Sequence, residues 1–146
     1  MDHLPADRFV GEAIVIPCKG LSEISLDHIK PYEHQIAKVT FVIFYTGWQE
    51  RWNTSSYFND FPVLTQDAAK WLTRFTLSGV GYDAISADTV MSIEQPNHKI
   101  LLGKDFVIVE NLTNVDHLPE GIFTLVCLPL KIENADGSPI RAIAIC

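Results

Sequence analysis

The residues best suited to chemistry are His98 and Glu110. Glu110 directly follows the apolar run FVIV at positions 106–109, where the chain turns polar. A glutamate at the end of a buried strand needs a partner or a metal ion, because an isolated buried charge is costly. An imidazole nitrogen and a carboxylate oxygen together suit zinc, manganese or iron(II), but a catalytic zinc ion usually has three protein ligands. Their spacing alone therefore favours a simpler interpretation, an ion pair between a surface histidine and a strand-end glutamate.

A second polar group consists of Asp83, Ser86 and Asp88, which follow a glycine-rich strand end. In open α/β proteins such residues line the cleft at the carboxyl edge of the sheet. Aspartate and serine side chains also form hydrogen bonds with nearby backbone groups. A local turn cap is therefore the favoured interpretation, with a cleft as the alternative.

A loop rich in aromatic residues spans positions 46–62, with the sequence TGWQERWNTSSYFNDFP. Its glycine and the run NTSS indicate irregular structure. The aromatic side chains are Trp48, Trp52, Tyr57, Phe58 and Phe61. Two interpretations remain open: the loop packs on the core through its own side chains, or it forms a pocket wall or a subunit contact.

The elements that must position these residues alternate along the chain. The clearest strand is KVTFVIFY at 38–45, apolar nearly throughout, as expected when both faces are covered. Further strands are predicted at 9–17, 80–86, 106–109, 123–130 and 140–145. The best helix spans 65–77 and is capped by Thr65, and shorter helical pieces are predicted at 21–29 and 96–103. We therefore predict a single α/β domain over residues 1–146, with a mixed and mostly buried sheet.

The charge balance narrows the classes of partner. With a formal net charge of -7 and a pI near 5.1, the chain should bind neither nucleic acid nor an anionic membrane surface. No apolar run approaches the roughly 20 residues needed to span a bilayer, and the start MDHLP lacks the features of a secretory signal. Cys18, Cys127 and Cys146 show no metal-type spacing, which indicates reduced thiols and a cytoplasmic location.

Four sequence blocks resemble the cyclase family, which includes bacterial kynurenine formamidase and isatin hydrolase. The blocks are TGWQERWNTSSYFNDFPVLTQDAAKWL, GVGYDAISAD, NHKILLGKDFVIVENLTNVDHLP and FTLVCLPLKIENADGSPIRAIAI. They occur in the family's order along nearly the whole chain, so the resemblance is more specific than any single motif.

The resemblance implies a swivelling β/β/α-type fold and a divalent metal, zinc or manganese, that activates water to hydrolyse an amide. Substrates typical of the family are N-formylkynurenine and cyclic amides such as isatin. The resemblance assigns metal-ligand roles to His98 and Glu110, and it implies a homodimer or higher homo-oligomer with the aromatic loop near the pocket or the subunit contact. The residues expected to line the substrate pocket are Trp48, Trp52, Tyr57 and Phe58.

One departure from the family concerns its metal motif. Members carry H-x-G-T-H-x-D-x-P-x-H, which supplies two ligand histidines, a ligand aspartate and a catalytic histidine, and nothing in this chain matches it. We therefore expect an N-terminally truncated member with weak metal affinity and no catalytic histidine of its own. Two functions remain open: an amide hydrolase completed by a longer gene product or a second polypeptide, and a catalytically inactive homologue that binds small molecules or partners.

Overall fold

One six-stranded sheet organises the chain. The structure, a computed structural model, describes residues 3–146, so Met1 and Asp2 at the start of the predicted domain lie outside the described residues. The strands are β1 (Val10–Pro17), β2 (Phe41–Tyr45), β3 (Gly79–Tyr82), β4 (Val107–Val109), β5 (Phe123–Val126) and β6 (Ile143–Ile145). Their order across the sheet is β4-β3-β2-β1-β5-β6. The strands expected from the sequence are confirmed, most of them with shorter bounds.

The sheet is mixed, as predicted. Strands β1 to β4 run parallel to one another, whereas β5 pairs antiparallel with β1 and β6 pairs antiparallel with β5. Parallel neighbours require crossover connections, and the chain supplies them as helices and loops between successive strands. The carboxyl ends of four adjacent strands therefore meet at one edge of the sheet, which is where ligands bind in open α/β proteins.

Short helices form the crossovers. They are α1 (Leu26–Ile29), α2 (Glu33–Ile36), α3 (Gln66–Leu72) and α4 (Pro96–Leu102). The predicted cap is confirmed, since the Thr65 side chain accepts a hydrogen bond from the Ala68 N–H. Helix α3 ends at Leu72 rather than at residue 77, because the N–H groups of Arg74 and Phe75 bond to carbonyls three residues back, which closes the helix with tight turns. Within residues 3–146, none of the helices combines the length and apolarity needed to cross a bilayer.

Hydrophobic cores lie on both faces of the sheet. Ile14, Ile16, Phe44 and Val80 belong to the larger cluster, which includes side chains of α1, α2, α3 and α4. On the opposite face, a smaller cluster is formed with residues from β5 and the segments that flank it. Two covered faces explain why β2 reads as a continuous apolar run, with Phe41 to Phe44 all buried. The exception is the edge strand β6, where Ile143 and Ile145 are 50% and 58% exposed.

Candidate metal centre

A row of polar side chains marks the carboxyl edge of the parallel strands. Cys18, Thr46, Asp83 and Glu110 each directly follow one of the strands β1, β2, β3 and β4. The strand order places them along this edge of the sheet in that sequence. This row forms the floor of the candidate site.

His98 and Glu110 meet at the β4 end of this row. His98 lies in the first turn of α4, and its Nε2 is 3.4 Å from Oε1 of Glu110. An N–H···O hydrogen bond is usually about 2.7–3.2 Å long. Two ligands bonded at about 2.0–2.1 Å to a tetrahedral metal ion stand about 3.3 Å apart. The separation is compatible with an ion pair, if the ring is protonated, and with two ligands of one metal ion.

Both side chains are partly buried, which differs from the surface ion pair that the spacing favoured. The side chains of His98 and Glu110 are 22% and 29% exposed. Oε1 of Glu110 also accepts a hydrogen bond from the Ala87 N–H at 3.2 Å. Burial raises the pKa of Glu110 above its ordinary value, while His98 and the Ala87 N–H act in the opposite direction. A cation beside this carboxylate would favour its ionised form.

Asp88 holds the other side of the His98 ring. Its Oδ2 accepts hydrogen bonds from the His98 backbone N–H at 2.9 Å and lies 2.8 Å from the ring Nδ1. Its Oδ1 accepts from the Asn97 N–H at 3.0 Å, so the same carboxylate caps the start of α4. The local turn cap favoured for Asp88 is therefore wrong, because its partners lie nine and ten positions along the chain. Ser86 does act locally, since its Oγ accepts from the Asp88 N–H.

Asp83 likewise binds a distant partner instead of capping its own turn. Its side chain is fully buried, and Oδ1 accepts hydrogen bonds from the backbone N–H and the hydroxyl of Thr46 at 2.9 and 2.6 Å. Its second oxygen has no hydrogen-bond partner among residues 3–146. Asp83 therefore ties the end of β3 to the start of the aromatic loop after β2.

Asn97 is a structural residue that the sequence did not single out. It is 2% exposed, and its side-chain amide donates to the carbonyl oxygens of Leu64 and Ala87 at 2.8 and 2.9 Å. These bonds fix the first turn of α4 against two other segments. The only available signal was an amide residue next to His98, which by itself predicts nothing.

The aromatic loop divides into a buried part and an exposed part. Trp48 packs in the larger core cluster, and its indole N–H donates to the Tyr57 carbonyl at 2.8 Å. Tyr57 is buried, whereas Trp52 and Phe58 are 64% and 51% exposed and contact the Tyr57 ring edge-to-face. A cavity of about 300 Å³ is lined by Trp52, Asn53, Thr54, Ser55, Tyr57 and Phe58. Trp48 therefore supports the loop from the core and does not line this cavity.

Tyr57 connects the cavity to the segment that carries Glu110. Its hydroxyl donates to Oδ1 of Asn111 at 2.8 Å, and Asn111 directly follows Glu110. Burial, with smaller contributions from the charges of Asp83 and Glu110, raises the pKa of Tyr57 to about 12. The hydroxyl thus stays protonated at neutral pH and keeps its role as donor.

The donor set partly fits a metal ion. His98 and Glu110 supply one imidazole nitrogen and one carboxylate, a combination that suits zinc or manganese. No group of three His, Cys, Asp or Glu side chains is placed to hold a metal within the described part of the chain. The two residues would supply part of a coordination shell.

Comparison of the sequence with protein families finds a match to the "Putative cyclase" family over residues 1–89. The kynurenine formamidase of Geobacillus thermodenitrificans is 31% identical over 140 residues, which cover 95% of this chain and 64% of that enzyme. The chain thus spans less than two thirds of the length of this relative.

Solved structures show the same fold. An isatin hydrolase bound to the product analogue thioisatinate superposes with a TM-score of 0.87 and 29% identity, over 98% of this chain and 62% of that one. A protein described as a "Potential Metal-Dependent Hydrolase With Cyclase Activity" superposes with a TM-score of 0.84 and 27% identity, over 99% and 69%. Fold, sequence pattern and relatives agree, and the chain belongs to the cyclase family.

Proposed function

We propose that this chain forms part of a metal-dependent hydrolase that cleaves an amide bond in a small aromatic substrate. The observation that carries the proposal is the His98–Glu110 pair, with donor atoms 3.4 Å apart at the carboxyl edge of the parallel strands. Relatives named kynurenine formamidase and isatin hydrolase support the reaction class. The site would hold zinc or manganese.

The residues of this chain have separate tasks in this proposal. His98 Nε2 and the Glu110 carboxylate would hold the cation. The metal, when bound, would lower the pKa of a coordinated water and polarise the scissile carbonyl. The cavity formed with Trp52, Tyr57 and Phe58 would take the flat ring of the substrate, since aromatic walls bind planar apolar groups. The hydrogen bond from Tyr57 to Asn111 would hold that cavity at a fixed position relative to Glu110.

We further propose that the remaining ligands and the catalytic base come from a longer gene product or from a second polypeptide. A catalytic metal usually needs at least three protein ligands, and this chain offers two at the site among its described residues. A homo-oligomer is part of the proposal. The edge strand β6 supports it, because exposed Ile143 and Ile145 flank backbone groups available for strand pairing. Light scattering that shows a monomer would count against this part.

The experiment is an elemental analysis of the purified chain after dialysis against zinc or manganese. The proposal expects bound metal that is lost in the His98→Ala/Glu110→Ala variant. The matched control, His117→Ala/Glu120→Ala, removes the same side-chain types at exposed positions and should retain the metal. Equal metal content in all three proteins would contradict the assignment of the site.

The second candidate function is a catalytically inactive homologue that binds a small molecule. The aromatic cavity favours it, because that cavity is formed entirely by residues of this chain. Isatin serves as a probe: binding that is unchanged by a metal chelator and by His98→Ala, without turnover, would support the binding module over the enzyme.

A further inference from the structure

We infer that Asp88 is a positioning residue that fixes the tautomer of His98, with the proton on Nδ1 and the lone pair on Nε2. Nε2 is the atom that faces Glu110, so this arrangement presents a ready metal ligand. The inference deepens the proposed function and rests on it for the identity of the ligand atom. The tautomer itself is a property of this chain that can be measured without any metal.

The Asp88 carboxylate has the hydrogen-bonding capacity to accept a bond from Nδ1 of His98. Its two oxygens accept from the backbone N–H groups of Asn97 and His98, at 3.0 and 2.9 Å. A carboxylate oxygen has lone pairs for two hydrogen bonds, and Nδ1 of His98 lies 2.8 Å from Oδ2. A carboxylate has no proton to give, so the proton in this contact belongs to Nδ1.

Burial of the Asp88 side chain favours the same tautomer. The Asp88 side chain is 4% exposed, so water does not compete for its oxygens. With the opposite tautomer, the Nδ1 lone pair would face the carboxylate oxygen at the same short distance, which is repulsive. That tautomer would keep a contact from Nε2–H to Glu110, but at 3.4 Å this contact is longer than the 2.8 Å contact between Nδ1 and Asp88.

The backbone that carries the His98 ring is itself fixed. Pro96 begins α4, and the Asn97 side chain fixes the first turn to the carbonyls of Leu64 and Ala87. The ring of His98 is therefore held through its backbone as well as through Nδ1. Partners of this kind, which orient a histidine through its second nitrogen, typically change metal affinity by about 10–100-fold when removed.

The direct test is nitrogen-15 NMR of the imidazole side chains in the metal-free protein. The spectrum is recorded over a series of alkaline pH values, and the tautomer is read where the imidazole signals no longer change with pH. His98→Gln identifies the His98 signals. We expect Nδ1–H in the wild type and a shift towards Nε2–H in Asp88→Asn, because the asparagine amide can donate to Nδ1.

A matched control separates positioning from stability, since Asp88 also caps α4. Thr65→Ala removes the side-chain cap of the neighbouring helix α3 and touches neither His98 nor Asp88. This variant should lose stability and keep the wild-type tautomer. A change of tautomer in Thr65→Ala would overturn the inference, because general loosening would then suffice.

The metal readout uses Zn²⁺ binding to the same proteins. Asp88→Asn should weaken Zn²⁺ binding by about 10–100-fold, and it should have no further effect in the His98→Gln background. Nε2–H in the wild type would overturn the inference. Nδ1–H in a wild-type chain that binds no Zn²⁺ would uphold the positioning role and count against the proposed metal function instead.

Discussion

The contact between Thr46 and Asp83 gives the sharpest prediction about the floor of the site. Asp83 is fully buried, and the Thr46 hydroxyl is one of its two hydrogen-bond donors within the described residues. Thr46→Val replaces that hydroxyl with a methyl group of similar size, so the change removes hydrogen bonds and little else. The variant should therefore report the electrostatic contribution of this contact to folding.

Thr46→Val should lower the free energy of unfolding because two hydrogen bonds of the Thr46 hydroxyl are lost. The bond from the Thr46 hydroxyl to Asp83, 2.6 Å long, is a hydrogen bond to a charged group, which contributes about 1.5–3 kcal/mol. The same hydroxyl accepts from the Trp48 N–H at 3.2 Å, and a buried donor left without a partner costs about 1–3 kcal/mol. Partial relaxation reduces the sum, so we expect Thr46→Val to lower the free energy of unfolding by about 2–4 kcal/mol.

The assay is urea unfolding followed by tryptophan fluorescence. The control is Thr54→Val in the same aromatic loop, where the exposed hydroxyl bonds to the Arg51 carbonyl and to Ser56. Because water can replace those bonds, the expected change is below about 1 kcal/mol. A double-mutant cycle with Asp83→Asn should show a coupling energy of about 1 kcal/mol or more. If Thr46→Val costs no more than Thr54→Val, Asp83 does not depend on Thr46 and the described floor of the site is wrong.

Three further predictions concern thiols, alkaline pH and the aromatic cavity. A thiol reagent should modify exposed Cys146 quickly and should spare Cys18 and Cys127 until the protein unfolds. Burial raises the pKa values of these two thiols to about 12 and about 11. Equal modification rates for all three cysteines would contradict the burial. The pKa of Cys18 rises from 9.0 to about 12 on folding. The contribution of this thiol to the free energy of unfolding is therefore complete below pH 9, and it is lost as the pH rises towards 12, at about 1.4 kcal/mol per pH unit. Urea midpoints at increasing pH should therefore fall more steeply for the wild type than for Cys18→Ala, and parallel curves would refute this. Trp52→Ala should weaken isatin binding by about tenfold in calorimetry, since a lost aromatic contact is worth about 0.5–1.5 kcal/mol, whereas Trp71→Phe, outside the cavity, should leave that affinity unchanged.

The sequence predicted the elements because their signals are local. The apolar run at 38–45 identified β2, and Thr65 identified the start of α3, since periodicity and caps depend on near neighbours. Pro96 and Gly103 likewise bracketed α4 correctly. Helix α2 was not predicted, because its four residues lie in a charged stretch without an apolar period.

The site was less predictable because its contacts are long-range. Asp88 and His98 are ten positions apart and meet only because α4 turns back on the loop after β3. Asp83 and Thr46 follow neighbouring strands but lie 37 positions apart in the chain, and nothing in either local sequence indicates the other. Trp48 and Trp52 are the same residue type in one loop, yet one lies in the core and the other is exposed, which only tertiary packing decides.

The central claim is that His98 and Glu110 hold one metal ion at the carboxyl edge of the sheet. The most direct test is a crystal structure of the chain grown with Zn²⁺, with anomalous diffraction collected at the zinc edge. The account predicts an anomalous peak at bonding distance, about 2.0–2.2 Å, from both Nε2 of His98 and the carboxylate of Glu110. Zinc bound elsewhere, with both side chains unliganded, would contradict it.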